Sequence, residues 1–123
     1  MRKVPITNFE QYFTQELVAT WSWDLVNDEY FYGLGFEILF GYSQDFLAKN
    51  KVAITTLICV DDIERVLQNL EHTFKQCRST WKINYHFYKA NGEYALVKNS
   101  AYILYNQQKE VIKLFGTIKE ISV

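Results

Sequence analysis

Apolar and polar positions follow two different periods along this chain. Trp21, Trp23 and Leu25 alternate with Ser22 and Asp24, the two-residue period of a half-buried strand. Asn27-Asp28 then predicts a turn into Glu29–Tyr32, which closes a hairpin. From Ile63 the period changes: Ile63, Val66, Leu67, Leu70, Phe74 and Cys77 recur at three- and four-residue intervals, predicting a helix over Asp62–Gln76 with one narrow apolar stripe. Asp61 and Glu64 stand at its start with capping-box spacing. Beyond Thr80 the period returns to two, with Trp81, Ile83, Tyr85 and Phe87 alternating with Lys82, Asn84 and His86. Ala90-Asn91-Gly92-Glu93 contains the best hairpin signal in the sequence. It leads into strands predicted over Tyr94–Tyr105 and Val111–Ile121, with a turn at Asn106–Lys109.

Shorter elements fill the remainder. Thr7 and Glu10 have the spacing of a capping box, and Phe9, Tyr12, Phe13 and Glu16 fall on one helical face, predicting an amphipathic helix over Asn8–Leu17. Gly33 and Gly35 interrupt the second strand; Phe36, Leu39 and Phe40 predict a brief helix closed by Gly41. Ser43 is placed to cap another short helix through Leu47, and Ala53–Leu57 reads as one further turn. Helix, two strands, short helices, one longer helix and three antiparallel strands make an α+β domain. The last two strands carry apolar residues on both faces. Val97, Ala101 and Ile103 oppose Leu96, Tyr102 and Leu104, and Ile112, Leu114 and Ile118 oppose Val111, Phe115 and Ile121. Both sheet faces are therefore expected to be covered, one by the internal helices, the other by the N-terminal helix or a second copy of the domain.

Composition narrows the function. The 123 residues suit one domain, and 49% hydrophobic and 17% aromatic content supplies a core and excludes bulk disorder. Thirteen Lys and Arg against 14 Asp and Glu leave a net charge of −1, with no basic run to neutralise a phosphate backbone, so nucleic acid is not an expected partner. No apolar stretch reaches the roughly 18 residues of a membrane span, and Met1–Asn8 lacks the apolar core of a signal peptide, so a cytoplasmic location is expected. Cys59 and Cys77 are the only cysteines, without metal-ligand spacing, which argues against a disulfide framework or a zinc site.

Five runs in order resemble the PAS sensor family, in particular its subfamily with a tryptophan-rich first strand. They are Trp21-Ser22-Trp23-Asp24-Leu25, Phe36-Glu37-Ile38-Leu39-Phe40-Gly41-Tyr42-Ser43, Asp61-Asp62 with Glu64-Arg65-Val66, Asn91-Gly92-Glu93-Tyr94, and Leu114 to Ser122. The resemblance covers about Thr20 to Ser122. It implies a PAS domain over 20–123 behind a cap helix at 1–19. The implied fold is a five-stranded antiparallel sheet with short helices and one longer helix on one face. The implied role is a sensory or dimerising module of a bacterial signalling protein, with a histidine kinase or a diguanylate cyclase of the GGDEF type as output. Two positions depart from the family pattern: Cys59-Val60 stands where histidine-proline is common, and Glu120 stands where the closing triplet begins with aspartate. The chain stops at Val123, so it reads as a fragment or a stand-alone module without its output domain.

Candidate chemistry is sparse. His72 would suit a haem ligand on the long helix, but it points away from the apolar stripe, and His86 lies on the polar phase of its strand. Cys59 before a helix start could have a lowered pKa, yet the asparagine-cysteine-arginine motif of flavin-binding photoreceptor relatives is missing, and the residue reads more simply as part of a buried turn. Asp61 and Asp62 read as helix-start acids rather than as metal ligands. No nucleophile, base and orienting group can be assembled, so no enzyme activity is expected and no cofactor is required. A small-molecule pocket, if open, is expected between the long helix and the sheet, lined by Phe36, Phe40, Leu67, Leu70 and Tyr85, with Gly116 leaving room for a ligand near the backbone. A filled core made of the same side chains is the favoured alternative. Signal transfer is expected through the last strand at Lys119, Glu120 and Ile121, in a homodimer; ligand capture by a small-molecule-binding domain is the competing function.

Overall fold

The computed structural model describes residues 18–121. The helix expected over Asn8–Leu17 lies outside them. Strand β1 (Ala19–Asp24) turns into β2 (Glu29–Tyr32), followed by helices α1 (Gly35–Phe40) and α2 (Gln44–Lys49) and a 3₁₀ turn (Ile54–Leu57). Helix α3 (Val60–Lys75) then leads into β3 (Thr80–Tyr88), β4 (Tyr94–Tyr105) and β5 (Val111–Glu120). The strands form one antiparallel sheet in the order β2-β1-β5-β4-β3. The last strand in sequence therefore sits at the centre, paired with the first on one side and with β4 on the other.

Local chemistry sets each boundary. The Asp24 carboxylate accepts the backbone N–H groups of Val26 and Asn27 at 2.9 and 3.1 Å, and Asp28 takes a positive φ of 52°, which together reverse the chain between β1 and β2. Helix α1 ends at Gly41, whose φ of 84° lets its N–H reach the Glu37 carbonyl while the Tyr42 N–H reaches that of Phe36. Ser43 Oγ accepts the Phe46 N–H at 3.1 Å, the N-cap expected for α2. The β3–β4 connection is wider than a two-residue hairpin. Lys89 N–H bonds the Glu93 carbonyl at 2.7 Å, Asn91 Oδ1 accepts the Glu93 N–H, and only Gly92 of the pair takes a positive φ.

Helix α3 differs from its expected form in three ways. It starts at Val60, two residues early, with Cys59 as N-cap and no side-chain capping bond, so the Asp61/Glu64 box does not form. Asp62 instead turns to β3, where its carboxylate accepts the His86 N–H at 2.7 Å. A long-range tie takes the place of a local cap. The buried stripe is also narrower than the apolar spacing implies: Val66, Leu70 and Thr73 are buried and Ile63 and Phe74 partly so, while Leu67 is 45% exposed. A helix resting on a sheet touches it along one line, and Leu67 lies on the shoulder of that line. Cys77 falls beyond the helix end, exposed and with a φ of 50°.

The core lies between the helices and the inward face of the sheet. Along β4, Ala95, Val97, Asn99, Ala101 and Ile103 are buried, and Leu114 and Ile118 of β5 meet them. Tyr102, Leu104 and Phe115 point outward and are 59%, 45% and 38% exposed. The two-sided apolar pattern of these strands thus corresponds to a packed inner face and an outer face that carries exposed rings.

Candidate functional site

On the inward face, where the sequence leaves an open pocket or a filled core as alternatives, aromatic rings pack together. Phe36 and Phe40 of α1 project onto Phe87 of β3, with centroids 6.2 and 5.0 Å away, and Tyr32 meets Phe36 edge to face at 4.9 Å. Tyr85 lies beside Phe87 at 6.2 Å and is 2% exposed; its burial pushes the phenol pKa up, so it stays neutral at any working pH. Between Leu70 of α3 and the sheet a cleft of ≈ 10 Å³ remains, lined also by Trp21, Trp23, Ile58, Trp81 and Tyr85.

Polar groups in this interior come from indoles and one amide. Trp81 Nε1 donates to Asn69 Oδ1 of α3 at 2.7 Å, tying helix to sheet. Trp21 Nε1 donates to Asn99 Oδ1 at 3.1 Å, tying β1 to β4 across β5. Two buried donors, Asn99 Nδ2 and Trp23 Nε1, have no hydrogen-bond partner among the described residues. Both call for an acceptor.

Of the residues expected to line a pocket, Phe36, Phe40, Leu70 and Tyr85 do converge on this interior. Leu67 does not, since its side chain lies on the exposed shoulder of α3. Gly116 has a different purpose from the one its sequence position suggested. A Cβ there would press on the β4 backbone, colliding with the Ser100 carbonyl and lying 2.6 Å from Ala101 Cα. The glycine admits the neighbouring strand rather than a ligand. Asn99 escaped the sequence reading because Lys98-Asn99-Ser100 looks polar throughout. Its shared parity with Val97 and Ala101 is the signal that places it inside.

The remaining candidates separate by environment. Cys59 is buried, and that burial, with Asp62 nearby, pushes its thiol up rather than down. His72 is exposed on α3. His86 is exposed as well, yet its Nδ1 lies 2.9 Å from Asp62 Oδ2, and Arg65 of α3 approaches the same carboxylate at 3.6 Å. The bond from the His86 N–H, and then these two side chains, outweigh partial burial and hold the Asp62 carboxyl below its ordinary range. At the end of β5, Lys119 is exposed, Glu120 pairs with Lys89 at 3.7 Å, and the Ile121 N–H donates to the Leu96 carbonyl at 2.8 Å. The three positions named for signal coupling thus lie beside the start of β4, and Glu120 reaches the β3–β4 loop. Among the described residues no cluster of three or more His, Cys, Asp or Glu could hold a metal, and no helix is long and apolar enough to cross a membrane.

A five-stranded antiparallel sheet with one longer helix over its inner face defines the fold class. The PAS fold family model matches residues 31–118, and the chain belongs to that family. Solved structures agree in fold. A sensory box histidine kinase/response regulator from Burkholderia thailandensis superposes with a TM-score of 0.72 at 21% identity, covering 93% of this chain and 84% of that one. The N-terminal domain of a diguanylate cyclase with PAS/PAC sensor from Marinobacter aquaeolei gives 0.70 at 19% identity, covering 85% and 95%. A PAS domain from Colwellia psychrerythraea gives 0.72 at 15% identity, covering 94% and 96%. No curated protein sequence matches the chain.

Proposed function

We propose that the chain is a sensory and interaction PAS module of a cytoplasmic bacterial signal-transduction protein, of the histidine kinase or diguanylate cyclase type, and that it has no catalytic role of its own. In this reading residues 20–123 form the module and 1–19 its N-terminal cap. The observation that carries it is the position of β5: it lies at the centre of the sheet, bonded to β1 and β4, and it ends at the last described residues. A shift in the packing of the inner face therefore reaches this central strand and both of its neighbours. Lys119, Glu120 and Ile121, at the end of β5, couple the signal, and a homodimer reads out their geometry.

The closed interior favours interaction over cofactor binding, because aromatic side chains occupy the volume a flavin or haem would need. Sedimentation velocity of the purified chain at high concentration is expected to give a dimer, and a solution that stays monomeric removes the dimeric part of the proposal. In a chimera placing the chain ahead of a kinase or cyclase unit, Glu120→Lys is expected to change output without unfolding the domain. An unchanged output removes the coupling role.

The unpartnered Asn99 Nδ2 and Trp23 Nε1 support a second reading, ligand capture by a small molecule that supplies acceptors. Native mass spectrometry with a visible spectrum separates the two. A colourless, ligand-free protein supports the interaction module, and a bound metabolite or chromophore supports capture.

A further inference from the structure

The end of α3 and the start of β3 enclose a cleft of ≈ 360 Å³ at the edge of the sheet, apart from the ring-packed interior. Arg78, Lys82 and His72 stand around it with the polar side chains of Asn69 and Thr80, and among the described residues no acid lines it. Among the described residues, too, neither Arg78, Lys82 nor His72 has an ion-pair partner. Glu71, next to His72 in the helix, is taken up by Lys75 at 3.3 Å. A chain of net charge −1 thus leaves an arginine and a lysine unneutralised in one concavity.

The donors here are held by bonds that leave their remaining hydrogens unspent. Asn69 Oδ1 accepts the Trp81 indole N–H at 2.7 Å, so the Nδ2 group of the same amide is left over. Helix α3 closes through Cys77, whose N–H reaches the Phe74 carbonyl at 2.9 Å while the Arg78 N–H reaches that of Thr73 at 3.2 Å. With the Gln76 N–H on the His72 carbonyl, these bonds occupy the oxygens that would otherwise repel an anion at a helix C-terminus. The Arg78 carbonyl accepts the Tyr105 hydroxyl at 2.6 Å, and its Nε donates to Gln76 Oε1 at 2.9 Å, which fixes the residue and leaves its Nη groups. On the strand side, the Asn84 carbonyl accepts Arg65, and the His86 N–H and carbonyl bond Asp62 and Cys59, so this parity of β3 turns its backbone off the sheet edge. Thr80 and Lys82 share the parity, and among the described residues no acceptor meets their N–H groups.

We propose that this cleft binds a small phosphate monoester. The Arg78 Nη groups and the Lys82 ammonium take the dianionic phosphate, and Asn69 Nδ2 with the edge N–H of Lys82 completes the donor set. A guanidinium fork matches phosphate oxygens in pairs, and a phosphate has enough acceptor oxygens for donors drawn from a helix, a turn and a strand. The volume lies at the lower end of ligand clefts, so a small organic body fits beside the phosphate against Thr73 and Trp81, which form the buried wall. The site is separate from the interior, and the inference holds whether or not the domain signals, dimerises or captures a ligand within its core.

The test is an amide-shift titration of the isotopically labelled full-length chain with glycerol phosphate, near neutral pH and at constant ionic strength. Saturable shifts are expected at the Thr80 and Lys82 amides, the Asn69 side-chain amide and the Arg78 Nε–H. Half-saturation is expected on the order of 1 mM, the strength of two charge-assisted hydrogen bonds. Arg78→Gln and Lys82→Gln should each weaken binding about tenfold. Lys51→Gln, beside the opposite edge strand β2, should leave it unchanged. Shifts that fail to saturate, that sodium chloride reproduces, or that weaken as much in Lys51→Gln would reveal general screening and overturn the proposal. Succinate binding as tightly as glycerol phosphate would overturn it too, since any dianion would then serve. The titration of the unsubstituted chain against chloride and succinate decides the matter even if a variant fails to fold.

Discussion

Trp21 and Asn99, 78 residues apart in the chain, are joined by a hydrogen bond from the indole N–H to the amide oxygen at 3.1 Å. It spans β5 at the level of Gly116, which pairs with Trp21 on one side and with Ala101 on the other. One buried bond therefore holds three strands in register on the face that the helices cover. Removing either partner strands the other. Asn99→Ala is expected to lower unfolding free energy by about 2 kcal/mol, from an orphaned indole N–H plus lost packing. A urea double-mutant cycle with Trp21→Phe should give a coupling of about 1 kcal/mol, and additive effects would show that the bond contributes nothing.

Gly116 makes that crossing possible by letting β4 approach. Because a Cβ would meet backbone atoms rather than the flexible end of a side chain, Gly116→Ala has no cheap relaxation. A loss of about 1–3 kcal/mol is expected, typical of overpacking, measurable as a lower urea midpoint with unchanged slope. A neutral result would restore the reading in which this glycine keeps space free for a ligand.

Leu67 and Leu70 sit three residues apart on α3 and have similar sequence surroundings, yet Leu70 is 7% exposed and Leu67 45%. Leu70→Ala should cost about 2–4 kcal/mol and Leu67→Ala well under about 1 kcal/mol. Equal losses in thermal or urea unfolding would contradict the helix orientation.

The Asp62 carboxylate pins the start of α3 to β3. Its folded pKa is depressed, first by the His86 N–H, so its stabilisation is present above the unfolded value of about 3.9 and disappears as pH falls through the folded one. Asp62→Asn removes the charge while keeping an acceptor. The wild type should exceed this variant by about 1 kcal/mol near neutral pH, with the difference closing at acid pH, in urea titrations across that range. A gap that persists in acid would mean that shape, not charge, sets the effect.

Most of the element order was legible in the chain because local rules govern it. The Ser43 cap, the Gly41 terminus and the turn at Asn27-Asp28 each depend on contacts within four residues, and all form as their sequences predict. Misreadings arose where a local rule competed with a distant partner. Asp61 and Glu64 have capping-box spacing, yet β3 offers Asp62 the His86 N–H and the box goes unused. Leu67 fits the helical period, but which shoulder of the stripe is buried depends on the tilt of α3 against the sheet.

Alternation and spacing by themselves determined that this chain makes an antiparallel sheet with one long helix and rings on both sheet faces, since side-chain direction follows from backbone period alone. Only the tertiary structure decided that β5 lies at the centre, that Asn99 is buried against Trp21, that Gly116 serves a neighbouring strand, and that the rings of Phe36, Phe40 and Phe87 meet on the inner face. Each of these depends on strands far apart in sequence meeting in one register, and period carries no information about which strand lies beside which.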